Sequence, residues 1–142
     1  MPSELIQSII TAEEIARELK RVPPAKKPRT HVIDWKDFRV EGNYLFLDEI
    51  GEGIIQEFVI ISPNSNFSVL VQVDGVATYN GDFSKFQDIS MHIESIIAVQ
   101  RSNKYILQVN DVNFNDNIKI LISVSDVTRL ERLHCKYTMK ET

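Results

Sequence analysis

Residues 67–79, Phe67-Ser68-Val69-Leu70-Val71-Gln72-Val73-Asp74-Gly75-Val76-Ala77-Thr78-Tyr79, decide the fold class. Phe67, Val69, Val71 and Val73 recur at every second position, the period of a strand with one buried face. Asp74-Gly75 supplies residues that tolerate positive φ, as a tight hairpin requires, and Val76–Tyr79 resumes as the return strand. Further along, Ile118, Ile120, Ile122 and Val124 repeat the alternation, and Ile93–Val99, Tyr105–Val109 and Leu130–Tyr137 read as further strands. Between them, Phe83, Phe86 and Ile89 stand three apart, which fits either a helical turn or a packed loop across 82–91.

Upstream of the hairpin the pattern is the same. Pro63-Asn64-Ser65-Asn66 is a turn, preceded by a strand over Ile54–Ile61, the glycines Gly51 and Gly53, a strand over Tyr44–Leu47 and a turn at Glu41-Gly42-Asn43. Ile33 and Trp35 alternate with charged neighbours, as do Phe38 and Val40, and the shift in phase between the pairs predicts a bulge near Lys36-Asp37. Eight or nine short strands separated by turns, with no long helical pattern between them, give no support to parallel β-α-β crossovers. The expected fold class is all-β, an antiparallel two-sheet β-sandwich, jelly-roll-like or immunoglobulin-like, over 31–142. Periodicity leaves the strand order open.

The first thirty residues differ. Ser3 can cap a turn carrying Leu5, Ile6, Ile9 and Ile10, and Thr11-Ala12-Glu13-Glu14 is a capping box with Ile10 and Ile15 at the positions of a hydrophobic staple. Ala12, Ile15, Leu19 and Val22 line one face of the predicted helix, and Pro23-Pro24 ends it. Residues 1–22 are therefore expected to form a helical arm, and 23–30, PPAKKPRT, an extended proline-rich tether of roughly 25 Å. The arm's apolar stripe, Leu5, Ile6, Ile9, Ile10, Ile15, Leu19 and Val22, must be buried, either on the chain's own body or on a neighbouring subunit; the extended tether makes both geometrically possible, and the neighbour is the expectation.

With 142 residues, 43% hydrophobic and 25% charged, the chain has the size and composition to build one core without staples. Cys135 is the only cysteine, which excludes an intrachain disulfide and points to a reducing compartment. Met1-Pro2-Ser3-Glu4 lacks the basic and apolar regions of a secretory signal, so the sequon Asn66-Phe67-Ser68 reads as a turn. No apolar run is long enough to cross a bilayer, and no membrane partner is expected. Residues 1–29 carry six Lys/Arg against four Asp/Glu, a net of +2; residues 30–142 carry ten against sixteen, a net of −6. An acidic body is a poor nucleic-acid surface, and any such contact is expected only through residues 20–29. Within them, Lys26, Lys27 and Arg29 could meet phosphate or an acidic partner; a solvated linker explains them as well.

No catalytic constellation emerges, and neither a cofactor nor a metal is expected. His31, His92 and His134 are scattered without zinc-ligand spacing. His134 and Cys135 are neighbours in a predicted strand and should face opposite sides, which opposes a catalytic pair and makes Cys135 a small core residue. Asp111-Val112-Asn113-Phe114-Asn115 opens like a calcium loop, but its sixth position is Asp116 and its twelfth Ile122, where glycine and glutamate are required. The stretch reads as a polar turn. Gly51-Glu52-Gly53 lacks the third glycine of a dinucleotide fingerprint, and no P-loop or nucleophile elbow occurs. Trp35 and Tyr79 could stack on a sugar, although core or interface packing accounts for both.

The stretch Glu57–Val69, continuing through Val73-Asp74-Gly75, together with Tyr105–Asn110 and Asn117–Val124, resembles small β-sandwich structural proteins of tailed viruses. The similarity covers about half the chain and consists of a strand, a polar turn, a strand ending in Asp-Gly and a late hairpin. It implies a non-enzymatic structural subunit of a virion, of the tail, baseplate, connector or capsid-decoration type, assembled in the host cytoplasm. Its partners would be copies of itself and other virion proteins, laced together by the terminal arm. The alternative is a carbohydrate- or receptor-binding β-sandwich module using Trp35, Tyr79 or the Asn110–Asn117 loop.

Overall fold

Among the described residues, the alternation of β-branched and polar residues folds into nine strands and one short helix. The computed structural model describes residues 26–141. In chain order these are β1 (Lys27–Val40), β2 (Asn43–Ile50), β3 (Gly53–Ser62), β4 (Phe67–Val73), β5 (Val76–Asp82), α1 (Phe83–Ser90), β6 (Ile96–Arg101), β7 (Lys104–Phe114), β8 (Asn117–Val124) and β9 (Thr128–Glu141). The expected helical arm, 1–22, and its interface side chains Leu5, Ile6, Ile9, Ile10, Ile15, Leu19 and Val22 lie outside the described residues. Residues 27–30 of the expected tether belong to β1, where Lys27 pairs with Glu141 and Thr30 with Thr138. A proline is tolerated there because β1 is an edge strand, so the missing amide of Pro28 need not cost a ladder bond.

The strands form two antiparallel sheets, one ordered β1-β9-β3-β7-β6 and the other β2-β8-β4-β5. The pairings nest: β1 with β9, β2 with β8, β3 with β7, β4 with β5. The chain is thus a long antiparallel ribbon doubled back on itself, and two further pairings, β3 with β9 and β4 with β8, join successive turns of it. Buried residues of both sheets belong to one core, including Phe58, Ile60, Leu107 and Leu133 from the first and Val69, Ile118, Ile120 and Ile122 from the second.

Edge strands meet in pairs. Trp35 and Phe38 of β1 join Tyr44 and Phe46 of β2 in a ring cluster, with Trp35 stacked on Phe38 at 4.7 Å and edge-on to Phe46 at 5.8 Å. Helix α1 packs against β5 and β6 and buries Phe83 and Phe86. Asp82 caps it, accepting from the Lys85 amide at 2.9 Å. The ambiguous 82–91 stretch is therefore helical.

The phase shift in β1 has a different origin from the expected bulge. Asp37 adopts φ +55°, yet the register with β9 continues without a step from Lys36–Arg132 to Phe38–Leu130. Strand β9 changes phase at the same level, so that Leu130 and Leu133 both turn inward, and neither strand gains a residue over the other. A true register shift lies between Ile55 and Glu57 of β3, on its β9 side, and turns Ile55 and Phe58 to the same buried face.

Candidate functional site

That shift in β3 determines what the outer face of the five-stranded sheet displays. Beyond it Glu57, Val59 and Ile61 point outward, Val59 lying opposite His134 and Ile61 opposite Arg132 of β9. On the other flank Val59 lies opposite Gln108 and Ile61 opposite Ile106 of β7, which in turn faces Val99 of β6. Val59 and Ile61, with Glu57, Gln108, Arg132 and His134 around them, line a shallow depression of about 330 Å³. Apolar side chains with polar ones around them are the usual anatomy of a contact surface.

The polar side chains are held by a charge array across three strands. Arg132 grips both oxygens of Asp34, Nε to Oδ1 at 2.9 Å and a terminal nitrogen to Oδ2 at 2.7 Å, a planar two-point bond that fixes both side chains. The Arg132 guanidinium holds the Asp34 carboxyl down at about 2 against its ordinary 3.8, with His134 adding to the effect. His134 lies between two carboxylates, Nε2 at 2.9 Å from Glu57 Oε1 and Nδ1 at 3.4 Å from Asp34 Oδ1. At the far end of the same two strands, His31 Nε2 meets Glu141 Oε1 at 2.6 Å while its ring stacks on Tyr137. Side-chain bridges therefore tie β1 to β9 along its length, with Thr30 meeting Thr138 and Asp37 meeting Arg129 as well.

A nucleophile would have to stand beside His134 for this array to perform acyl transfer. Cys135 does not: it is fully buried on the opposite face, and desolvation, with Glu57 adding to it, pushes its thiol up to about 12. The expectation that His134 and Cys135 face opposite sides agrees with the structure. Among the described residues no three His, Cys, Asp or Glu side chains converge to hold a metal ion. Among the described residues, too, no helix is long and apolar enough to cross a membrane.

The other residues singled out in the sequence are dispersed. Lys27 and Arg29 are exposed on edge strand β1, and Lys26 precedes it. Trp35 and Tyr79 do not form one platform: Trp35 belongs to the β1–β2 ring cluster, whereas Tyr79 of β5 packs against Phe86 of α1. Asn110–Phe114 is the end of β7, not a loop, and the turn after it is built by a residue the sequence reading assigned only to a hairpin. The Asp74 carboxylate accepts from the amides of Asn115, Asp116 and Asn117, and Asn117 Oδ1 accepts from Gly75 in return. Those backbone donors hold the Asp74 carboxyl below its usual range. The polar turn is thus cross-braced to the β4–β5 hairpin, a long-range contact without a local sequence signal.

Two more depressions lie among the described residues. One of about 240 Å³ borders the start of β1, lined in part by Pro28, Ile54, Asn113, Thr138 and Lys140. The other, of about 420 Å³, is lined by Ser65, Asn66, Ser68, Asp82, Ser123 and Ser125 among others. No protein-family model matches the chain, and neither does the sequence of any curated protein.

Proposed function

We propose that this protein is a non-enzymatic structural subunit of a viral particle, a tail, connector or capsid-associated component, that assembles through its N-terminal arm. The observation that carries the reading is the nested pairing of the strands. A ribbon doubled on itself and rolled so that β9 meets β3 and β8 meets β4 has the strand order of a jelly roll, with β6 added at one edge. In this reading the two sheets close face to face as a sandwich. Jelly rolls serve recurrently as capsid and lectin domains.

The body's edges support an arm as the means of assembly. Strand β1 is long, but Pro28, the flanking charges and the left-handed Asp37 blunt it against strand addition. If four of the arm's apolar side chains bury on a neighbour, the gross gain is roughly 6–12 kcal/mol before ordering costs. Deleting residues 1–25, and leaving β1 whole, should yield a folded body of monomeric mass by light scattering. An oligomer of unchanged stoichiometry would overturn the reading.

A second reading, a carbohydrate-binding module, draws support from the depression rich in hydroxyl and amide groups between Ser65–Ser68 and Ser123–Ser125. A glycan array separates the two, because a purely structural subunit gives no hits.

A further inference from the structure

Resting on the carbohydrate-binding reading, we propose that the serine-lined depression on the outer face of the four-stranded sheet is a subsite for one neutral sugar ring, held by Ser68, Ser123 and Asp82 with Ser65, Asn66 and Ser125 beside them. Ser68 alternates with buried Phe67 and Val69, and Ser123 with buried Ile122 and Val124, so both point away from the core. The register puts Ser123, Ser68 and Asp82 in one row across β8, β4 and β5. Behind that row stand Asn66 and Ser125, joined by the Ser125 amide, which donates to the Asn66 carbonyl at 3.2 Å. Directly opposed side chains on neighbouring strands are roughly 5 Å apart, so one ring can reach several of these groups at once.

Unspent hydrogen-bonding capacity sets this depression apart. In the one at Val59 and Ile61, Glu57 bonds to His134, Arg132 to Asp34 and Gln108 to Asn110. In the one beside Pro28, Glu52 bonds to Lys140 and Thr138 to Thr30. Here, among the described residues, nothing bonds to the side chain of Ser65, Asn66, Ser68, Ser123 or Ser125. Of Asp82 only Oδ1 is engaged, by the Lys85 amide. Each serine hydroxyl both donates and accepts, as does the Asn66 amide. The volume, about 420 Å³, falls within the roughly 300–1,000 Å³ of small-ligand sites.

The set of groups selects the class of ligand. No lysine, arginine or histidine lines the depression, so an anion, acidic sugars included, would meet the Asp82 carboxylate with no cation to offset it. A calcium ion would find a single carboxylate there. An apolar ligand would strip water from the hydroxyls and replace none of its bonds. A neutral sugar carries the matching chemistry: its hydroxyls donate and accept in turn, pairing with the serines on one side and giving the free Asp82 Oδ2 a charge-assisted bond on the other. Phe67, the aromatic residue of the lining, is buried at 2% exposure. No ring therefore stacks on the sugar, hydrogen bonds carry the affinity, and a millimolar Kd is expected.

The test titrates the isotope-labelled full-length chain with methyl mannoside, methyl galactoside, methyl glucoside and the methyl glycoside of N-acetylneuraminic acid, reading backbone amide shifts by NMR beside a glycan array. At least one neutral hexoside is expected to shift the amides of 65–68, 82 and 123–125, and the neuraminide none of them. Ser68→Ala and Ser123→Ala should each weaken binding about fivefold, the effect of losing one neutral hydrogen bond. Asp82→Asn keeps an acceptor for the Lys85 amide but loses the charge, and should weaken binding about tenfold or more. Circular dichroism checks each fold; if Asp82→Asn disturbs α1, the two serine variants decide, because their side chains lie on the solvent side of the sheet. Neuraminide shifts at these amides overturn the neutral class. Array hits or amide shifts that persist unchanged in the variants overturn this site and leave the carbohydrate reading standing. A blank array, with no shift from any hexoside, overturns both.

Discussion

The two pairs of edge strands are bridged in different ways. At β5 and β6 the bridge is an inserted element: α1 contributes Phe83 and Phe86, both buried, with Phe86 at 0% exposure. At β1 and β2 it consists of rings on the strands themselves, and Trp35 remains 37% exposed. An insertion can be as bulky as the gap requires, because its backbone is free of the sheet registers. Side chains on registered strands can only lean together from fixed positions, so part of their surface stays wet. The first bridge therefore holds the core, and the second is a seam.

Removing the ring at the centre of the inserted bridge should do the most damage. Phe86→Ala leaves a cavity in a region with no solvent to fill it, and should cost about 3–5 kcal/mol in urea unfolding. Trp35→Ala, at the seam, removes a ring that is only partly out of water and should cost about 1–2 kcal/mol. Equal costs would erase the distinction between the bridges. Trp35 is also the only tryptophan, so its emission reports the seam alone; Phe86→Ala should leave the emission maximum of the folded protein unchanged.

Most of this arrangement was legible in the sequence because it is local. Alternation marked the strands, and Asp74-Gly75 marked the β4–β5 hairpin that forms there. The opposite facing of His134 and Cys135 followed from the same period. What escaped was contact between distant segments. Nothing local says that Asp74 braces Asn115–Asn117, or that Trp35 meets Tyr44 and Phe46 while Tyr79 meets Phe86. The phase change at Asp37 was visible, but its cause was not: a bulge and a matched change in two strands leave the same trace in one of them. The facing of Ile54–Ile61 was hidden for a related reason: the run is almost continuously apolar, and only the register places Val59 and Ile61 on the outer side.

A smaller effect sharpens the inserted bridge. Asp82 caps α1 through the Lys85 amide, and Asp82→Ala should cost about 1 kcal/mol, as loss of a helix cap ordinarily does. Asp82→Asn, which keeps an acceptor at the cap, should restore most of that loss in the same unfolding assay.

The weakest expected effect lies beside the seam and depends on pH. Asp34 of β1 is gripped by Arg132 of β9, and its carboxyl sits at about 2 in the folded chain against an ordinary 3.8. The unfolded state therefore takes up this proton first on acidification. The contribution of Asp34 to stability is complete above pH 4 and is lost as pH falls toward 2. Asp34→Asn removes that share at every pH, so the variant should be less stable than wild type at pH 6 and should converge with it near pH 2. Asp74, lowered by the backbone amides of the 115–117 turn, adds its own acid limb, which the Asp34 variant retains. A thermal melt series from pH 6 to 2 separates the two: parallel curves for wild type and Asp34→Asn would mean that the pairing contributes nothing, whereas convergence assigns that part of the acid loss to the lacing of β1 onto β9.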